Sequence, residues 1–441
     1  MKKVAKFGGS SLADANQIRK VADIIHADPS RLYVVPSAPG KRTASDEKVT
    51  DLLYQCYEAA SAGRDYHKLF DRIKARYQSI IDGLGLSLSL EEEFRRIEED
   101  FSARKGRDYA ASRGEYLNGI LIAHFLGFTF LDAAEVILFD EQGRFLSEET
   151  NRLLSDRLNG VEKVVIPGFY GAMPDGSIKT FSRGGSDITG SIVARAVRAD
   201  LYENWTDVSG FLVTDPRIVE NPVPIETITY RELRELSYMG ASVLHEDAIF
   251  PVRKEAIPIN IRNTNKPDDP GTLIVESTCR KPRYTITGIA GKKGFCAVTI
   301  DKDMMNTEVG FGRKVLDVFE QYGISFEHIP SGIDTMSVLV HQAEFVAYEQ
   351  QVIAGIHRAV QPDSIELESD LALVAVVGRG MKAAHGTAGR IFSALAHARV
   401  NVRMIDQGSS ELNIIIGVSS GDFEKAIRAI YDIFITADEE L

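Results

Sequence analysis

Residues 315–332, VLDVFEQYGISFEHIPSG, and residues 391–408, IFSALAHARVNVRMIDQG, carry one pattern at an offset of 76 residues. Ile324, Phe326, Ile329 and Gly332 correspond to Val400, Val402, Ile405 and Gly408. Each copy reads as a helix, a short loop, a strand and a glycine turn. A further strand follows in each, TMSVLVH and LNIIIGV. The repeat predicts a tandem of small α+β modules, since a unit this short buries its apolar face against a neighbour. No acid and base pair up at its turns, which suits sensing or assembly better than a second catalytic centre.

The preceding part alternates differently. KVAKF (3–7) runs into GGSSL, and apolar residues then recur at helical spacing through Ile18, Val21, Ala22 and Ile25. LYVVPSA (32–38) reads as the next strand, TDLLYQCYEAA as a helix, 64–115 as mostly helical, and VEKVVIPGFYGA (161–172) as a strand entering a glycine turn. FTFLDAAEVILF reads as one or two strands. Strand–turn–helix units in this order predict a mostly parallel sheet covered by helices, with ligands beyond the C-terminal strand ends. The stretch 255–285 is rich in Asn, Pro and Asp, which places a domain boundary close to 280. The expected division is 1–280, 281–365 and 366–441, with strands open to exchange between the last two.

A net charge of -12 offers no basic stripe for nucleic acid, though a nucleotide needs only a local positive site. Cys56, Cys279 and Cys296 show no metal spacing and no disulfide framework. The N-terminal MKKVAKFGGSS meets Gly-Gly before any signal-length apolar run, and no apolar stretch approaches 18 residues. The working class is a cytoplasmic enzyme.

Two turns, KFGGSS and SRGGSD, invite comparison with phosphate loops, yet neither is G-x-x-x-x-G-K-[ST] or G-x-G-x-x-G. Lys6, beside Gly8, Gly9, Ser10 and Ser11, is either a surface lysine or a positive charge over transferring phosphoryl oxygens. Asp187 follows the second turn. It and Ser186 also read as helix N-caps. Phosphoryl transfer needs mainly positioning and charge compensation, often with a metal, but no acidic cluster has a diagnostic metal spacing. Arg183 suits a carboxylate and Glu115 an ammonium, which together suggest a zwitterionic acceptor. Either could instead be an ordinary salt-bridge member.

Five stretches occur here in the order found in aspartate kinases: KFGGSS (6–11), SRGE (112–115), SRGGSDITG (182–190), TDVSGFLVTDPR (206–217) and MGASVLHEDAIFPV (239–252). The chain resembles that family over essentially its whole length, in the monofunctional form, and the repeated tail resembles paired ACT regulatory domains. The resemblance implies an amino-acid-kinase fold and the reaction ATP + L-aspartate → ADP + 4-phospho-L-aspartate, the entry to lysine (diaminopimelate), threonine and methionine synthesis. It implies Lys6 facing the phosphates and Asp187 organising Lys6 and the reacting groups. Gly8, Gly9 and Ser10 would line the phosphate turn. Thr50, Glu115, Phe169, Arg183 and Ser186 would form the aspartate site, and Thr206, Asp207, Asp215 and Arg217 would flank the nucleotide. Mg²⁺ is expected with ATP, held mainly by phosphates and water. Lysine, alone or with threonine, is the implied inhibitor. Met305, Glu308, Gly310 and Glu327 would bind it in the first repeat, and a homodimer or homotetramer would form through the ACT modules. The alternative for Glu327 is a solvent-facing residue on a half-exposed strand.

Two departures stand out. Many family members carry lysine where this chain has Ser242, and proline where it has Glu246. The competing readings are another amino-acid kinase, of glutamate or carbamate type, and a non-catalytic effector-binding assembly protein. The twin repeats and SRGE weigh against the first, and the intact glycine turns against the second.

Overall fold

The computed structural model describes residues 1–436 apart from 183, 242, 243, 245–248, 281 and 409. It comprises two compact units: Met1–Phe211 with Pro224–Tyr230 and Val243–Thr278, and Leu212–Val223 with Arg231–Ser242 and Cys279–Leu441. The second unit thus takes up two short segments that lie well before position 280.

The first unit is built on an eight-stranded sheet. Its strands are β1 (Lys3–Phe7), β2 (Arg31–Pro36), β3 (Thr129–Phe130), β4 (Val164–Val165), β7 (Leu201–Thr206), β8 (Thr227–Thr229), β9 (Ile259–Asn263) and β10 (Thr272–Val275). A separate hairpin pairs β5 (Tyr170–Ala172) with β6 (Ile178–Thr180). The order β3-β4-β2-β1-β7-β9-β10-β8 is parallel throughout except between β9 and β10. Central parallel strands are covered on both faces, so β1 is buried from Val4 through Phe7. One of those buried residues is Lys6, and a buried cation requires a partner. The register sets Lys6 beside Asn204 of β7 and Val35 of β2.

The helices of this unit are α1 (Ala15–Ala27), α2 (Val49–Ser61), α3 (His67–Leu84), α4 (Glu91–Ser102), α5 (Arg107–Leu126), α6 (Ser147–Leu158) and α7 (Gly185–Ala196), with short α9 (Phe250–Lys254) near its end. Asp14 caps α1 by accepting from the backbone of Asn16 and Gln17. Helix α5 is buried nearly all round from Tyr109 to Ala123, so it runs through the interior of the unit and not across its surface. FTFLDAAEVILF supplies the two-residue β3, a 3₁₀ turn at Ala133–Glu135 where Asp132 accepts from the Ala134 N–H and turns the chain, and isolated bridges at Leu138 and Phe139.

The second unit contains α8 (Tyr230–Tyr238) from Arg231 onward and one six-stranded antiparallel sheet, with strands β11 (Gly288–Asp301), β12 (Phe326–His328), β13 (Thr335–His341), β14 (Ser364–Val377), β15 (Met404–Asp406) and β16 (Asn413–Ser419). The order β12-β13-β11-β14-β16-β15 is symmetric about the β11–β14 pair. Helices α10 (Phe311–Gln321), α11 (Gln342–Phe345) and α12 (Glu349–Val360) belong to the first repeat, and α13 (Thr387–His397) and α14 (Phe423–Tyr431) to the second. The two 14-residue strands serve both repeats: β11 pairs with β13 from Phe295 to Asp301, and β14 with β16 from Leu371 to Val377. Register shifts at 293–297 mark the change from one module to the other. Position 365/366 lies within the continuous strand β14. No described helix is long and apolar enough to cross a membrane.

Candidate active site

Helix α7 packs against β1, β2 and β7. Lys6 Nζ lies 2.5 Å from Asp187 Oδ1 and 3.4 Å from Asn204 Oδ1. The Asn204 amide donates to the same Asp187 oxygen at 2.9 Å. The lysine is therefore a buried member of a three-residue cluster and not a surface residue. Asp187 does not cap α7. That helix begins at Gly184 (φ 58°) without a side-chain cap, and Ser186 and Asp187 fall inside its first turn. The cap reading is thereby corrected: β7 approaches at Asn204, and Asp187 turns toward β1. A carboxylate in this turn also complements the helix dipole.

Residues 9–12 form a 3₁₀ turn directly after β1, so its first N–H groups lack a carbonyl one turn earlier. Gly8 donates to the Trp205 carbonyl at 2.9 Å, Gly9 accepts from Gly40 N–H at 2.8 Å, and Ser10 is exposed. The contact between the turns is close: a Cβ on Gly40 would stand 2.5 Å from the Gly9 carbonyl carbon.

On the acceptor side, Glu115 is buried on α5. It accepts from the Ala38 N–H at the end of β2, while its Oε2 is buried without a partner. Burial pushes its pKa up to about 8, against the opposing pull of the Ala38 hydrogen bond and the Arg113 charge. An unmatched buried carboxylate oxygen is costly in isolation and suits a cationic ligand group. Phe169 stands at φ 82°, a conformation costing about 1–3 kcal/mol for a bulky residue. It is held there by donation to Thr189 Oγ1 at 3.1 Å and by the Phe181 N–H on its carbonyl. Gly185 permits the contact, since a Cβ there would lie 2.5 Å from the Phe169 ring. Ser186 is buried against Gly168, and Thr50 is half-buried at the start of α2. Arg183, Ser242, His245 and Glu246 lie outside the described residues.

Comparison with known proteins gives the family. Residues 1–263 match the model of the amino acid kinase family, and residues 374–434 match an ACT domain. Aspartokinase 3 of Bacillus subtilis is 41% identical over 448 residues, covering 98% of both chains. The chain belongs to the aspartate kinases. Clostridium acetobutylicum aspartate kinase superposes with a TM-score of 0.90 at 52% identity, covering 98% of this chain and 100% of that one. Escherichia coli aspartokinase III, seen with aspartate and ADP and also with lysine and aspartate, superposes at 0.73 with 26% identity over 98% of this chain and 99% of that one. This aspartate kinase is an ATP-dependent enzyme of amino-acid biosynthesis.

The residues expected at the nucleotide divide between the units. Thr206, at the end of β7, donates to Asp207 at 3.2 Å in the first unit. Asp215 and Arg217 lie in the second unit and pair with each other, at 2.6 Å for the closest atoms. That pairing holds the Asp215 carboxyl below its usual range.

In the aspartate kinase's second unit, Met305 is buried in the core of the first repeat with Phe311, Val315 and Val338. Its side chain therefore packs in this core. Glu308 is clasped by Lys302 and Lys314, each at 2.6 Å, which lowers its pKa, and Gly310 (φ 81°) begins α10. Glu327 is not solvent-facing: its side chain is 6% exposed, 3.1 Å from His341 Nε2, and accepts from the Tyr238 hydroxyl. The structure corrects the exposed-strand alternative because β13 and the end of α8 both cover it.

Sequence reasoning missed Asn204, Gly40 and Ala38. Asn204 left a signal, since adjacent Glu203 and Asn204 interrupt an otherwise apolar strand, LYENWT. Gly40 and Ala38 left none beyond their place after a strand.

Proposed function

We propose that Lys6 and Asp187 form the phosphoryl-transfer centre of this aspartate kinase, and that Glu115 receives the ammonium of aspartate. The 2.5 Å Lys6–Asp187 contact at the mouth of the first glycine turn carries this reading. With ATP bound, Lys6 neutralises charge building on the γ-phosphoryl oxygens, while Asp187 and Asn204 hold its ammonium in place. Gly8, Gly9 and Ser10 cradle the phosphates. The side-chain carboxylate of aspartate attacks phosphorus, a new O–P bond forms, the bond to ADP breaks, and 4-phospho-L-aspartate results. No general base is required, because the attacking carboxylate is already ionised near pH 7.

Arg183 holds the α-carboxylate, and Thr50, Phe169 and Ser186 shape the acceptor pocket. Thr206 and Asp207, at the end of β7, flank the nucleotide. Mg²⁺ enters with ATP. Among the described residues no group of three metal-ligating side chains converges, and Asp187 is engaged by Lys6 and Asn204. The donor set therefore fits an ion held chiefly by phosphates and water.

Residues 1–280 carry catalysis, and 281–365 and 366–441 are regulatory. Lysine, alone or with threonine, inhibits through the tail, with Glu327, Glu308, Gly310 and the backbone at Met305 forming its pocket. The lysine complex of the E. coli relative supports lysine as the effector. A homodimer or homotetramer assembled through the ACT modules, in the cytoplasm, completes the reading.

The test is an initial-rate assay in which hydroxylamine traps the acyl phosphate. It is run with aspartate, glutamate and carbamate as acceptors, and with Arg183→Lys beside the wild type. Expected are turnover of aspartate and a large rise in aspartate KM for the variant with little change for ATP. Equal changes for both substrates would remove Arg183 from the acceptor pocket. Lysine and threonine titrations, with sedimentation, test the effector and assembly.

A further inference from the structure

The transfer centre and the acceptor wall rest on one helix that none of the motifs includes. Arg76 and Tyr77 are consecutive residues of α3, and both are buried. Arg76 Nη2 donates to the Gly40 carbonyl at 2.5 Å. The Gly40 N–H donates in turn to the Gly9 carbonyl, so the arginine sits one residue behind the phosphate turn. Tyr77 donates its hydroxyl to the Gly114 carbonyl at 2.7 Å, one residue before Glu115.

We propose that Arg76 and Tyr77 are positioning residues for phosphoryl transfer, which brace the phosphate turn and the acceptor wall from α3 and fix the spacing between them. The proposal rests on the reading of Lys6, Asp187 and Glu115 given above. Three observations separate a brace from ordinary packing. First, each contact ends on a backbone carbonyl next to a reacting or binding residue. Second, the supported parts have no slack. Gly40 touches Gly9 too closely for any side chain, and a Cβ on Gly114 would lie 2.8 Å from that of Ala38, the residue whose N–H meets Glu115. A shift at either carbonyl is therefore transmitted and not absorbed. Third, Arg76 makes its contacts while its own Nε–H stays buried without an acceptor. Its other arm, Nη1, reaches Asp46 at 2.8 Å, and Asp46 is also gripped by Arg42, so the loop from Gly40 to Asp46 is held at both ends.

Asp46 gives an internal control. Asp46→Asn weakens the ion pair but leaves the Arg76 contact to Gly40. Arg76→Lys keeps a charge for Asp46 but lacks the fork needed to hold Gly40 as well. Tyr77→Phe removes one hydroxyl and keeps the ring. The assay reads kcat, aspartate KM, ATP KM and Tm for each full-length variant.

Expected are a fall in kcat of about tenfold for Arg76→Lys and a rise in aspartate KM of about tenfold for Tyr77→Phe at unchanged ATP KM, since small misplacements of reacting groups cost rate steeply. Asp46→Asn should lower Tm while keeping kcat within about twofold of wild type. The proposal is overturned if kcat falls in step with Tm across Arg76→Lys and Asp46→Asn, or if Tyr77→Phe leaves aspartate KM unchanged or shifts both KM values together. If Arg76→Lys does not fold, Tyr77→Phe alone decides. Asp187→Asn is assayed alongside: full activity there sinks the underlying site reading, whereas an inactive Asp187→Asn with a wild-type Tyr77→Phe sinks the brace alone.

Discussion

Lys6 and Asp187 lie 181 residues apart in the chain and 2.5 Å apart in space, the lysine at the end of β1 and the aspartate in the first turn of α7. Asn204 binds the same carboxylate oxygen from β7, so the contact is set by three elements and not by a flexible pair. Removing its charge tests whether it serves catalysis or folding. Asp187→Asn should lower kcat by at least about 100-fold, the scale of losing a preorganised electrostatic contact. Asp187 does not cap α7, but the variant leaves buried Lys6 without its charged partner, so Tm should fall as well. A large Tm loss with retained turnover would assign the pair to stability.

Glu115 gives a pH signature. Its pKa is raised from 4.5 to about 8 by burial, so without substrate the carboxyl is mostly protonated at pH 7. A raised acid stabilises the unliganded fold fully below about pH 4.5, and that contribution is lost as pH climbs through about 8. An arriving ammonium reverses the preference and ionises the group. Aspartate binding at pH 7 should therefore release close to one proton, measured by calorimetry in buffers of different ionisation enthalpy. Aspartate affinity should improve from about pH 6 to 8. No proton release, or release retained in Glu115→Gln, would place the ammonium elsewhere.

Gly40→Ala drives a methyl group into the backbone of Gly9. The two turns must part, and the loss should appear in kcat, by about tenfold or more, before it appears in Tm. Wild-type kinetics in this variant would show that the contact between the turns is dispensable.

Glu327 is enclosed by His341 and Tyr238 in the regulatory unit. Glu327→Gln keeps the shape and removes the charge that an effector ammonium would meet. The lysine inhibition curve should move to higher concentration by about tenfold, within the usual range of coupling between sites. An unmoved curve takes Glu327 out of the effector pocket.

The sequence by itself determined the alternation of strand, glycine turn and helix, the repeated tail, and the family. Each is written in local patterns: periodicity, Gly-Gly pairs, and motifs in order. It also placed Lys6 and Asp187 beside their turns, because strand ends and helix starts are local events. Local pattern does not show which distant groups share a site or what burial does to them. Lys6 reads equally as a surface lysine until the register of β1 with β7 buries it beside Asn204. Glu327 reads either as an effector contact or as a solvent-facing residue until β13 and α8 cover it. The repeats read as two modules with strands open to exchange, without showing which strands; β11 and β14 each run through both, because pairing across a sheet is decided by the partner strand. Arg76 and Tyr77 fall in a charged helix with no motif, and only tertiary packing brings them behind Gly40 and Gly114. The charge balance of the site, down to the protonation of Glu115, was likewise decided by the fold, since desolvation depends on what surrounds a group and not on its neighbours in sequence.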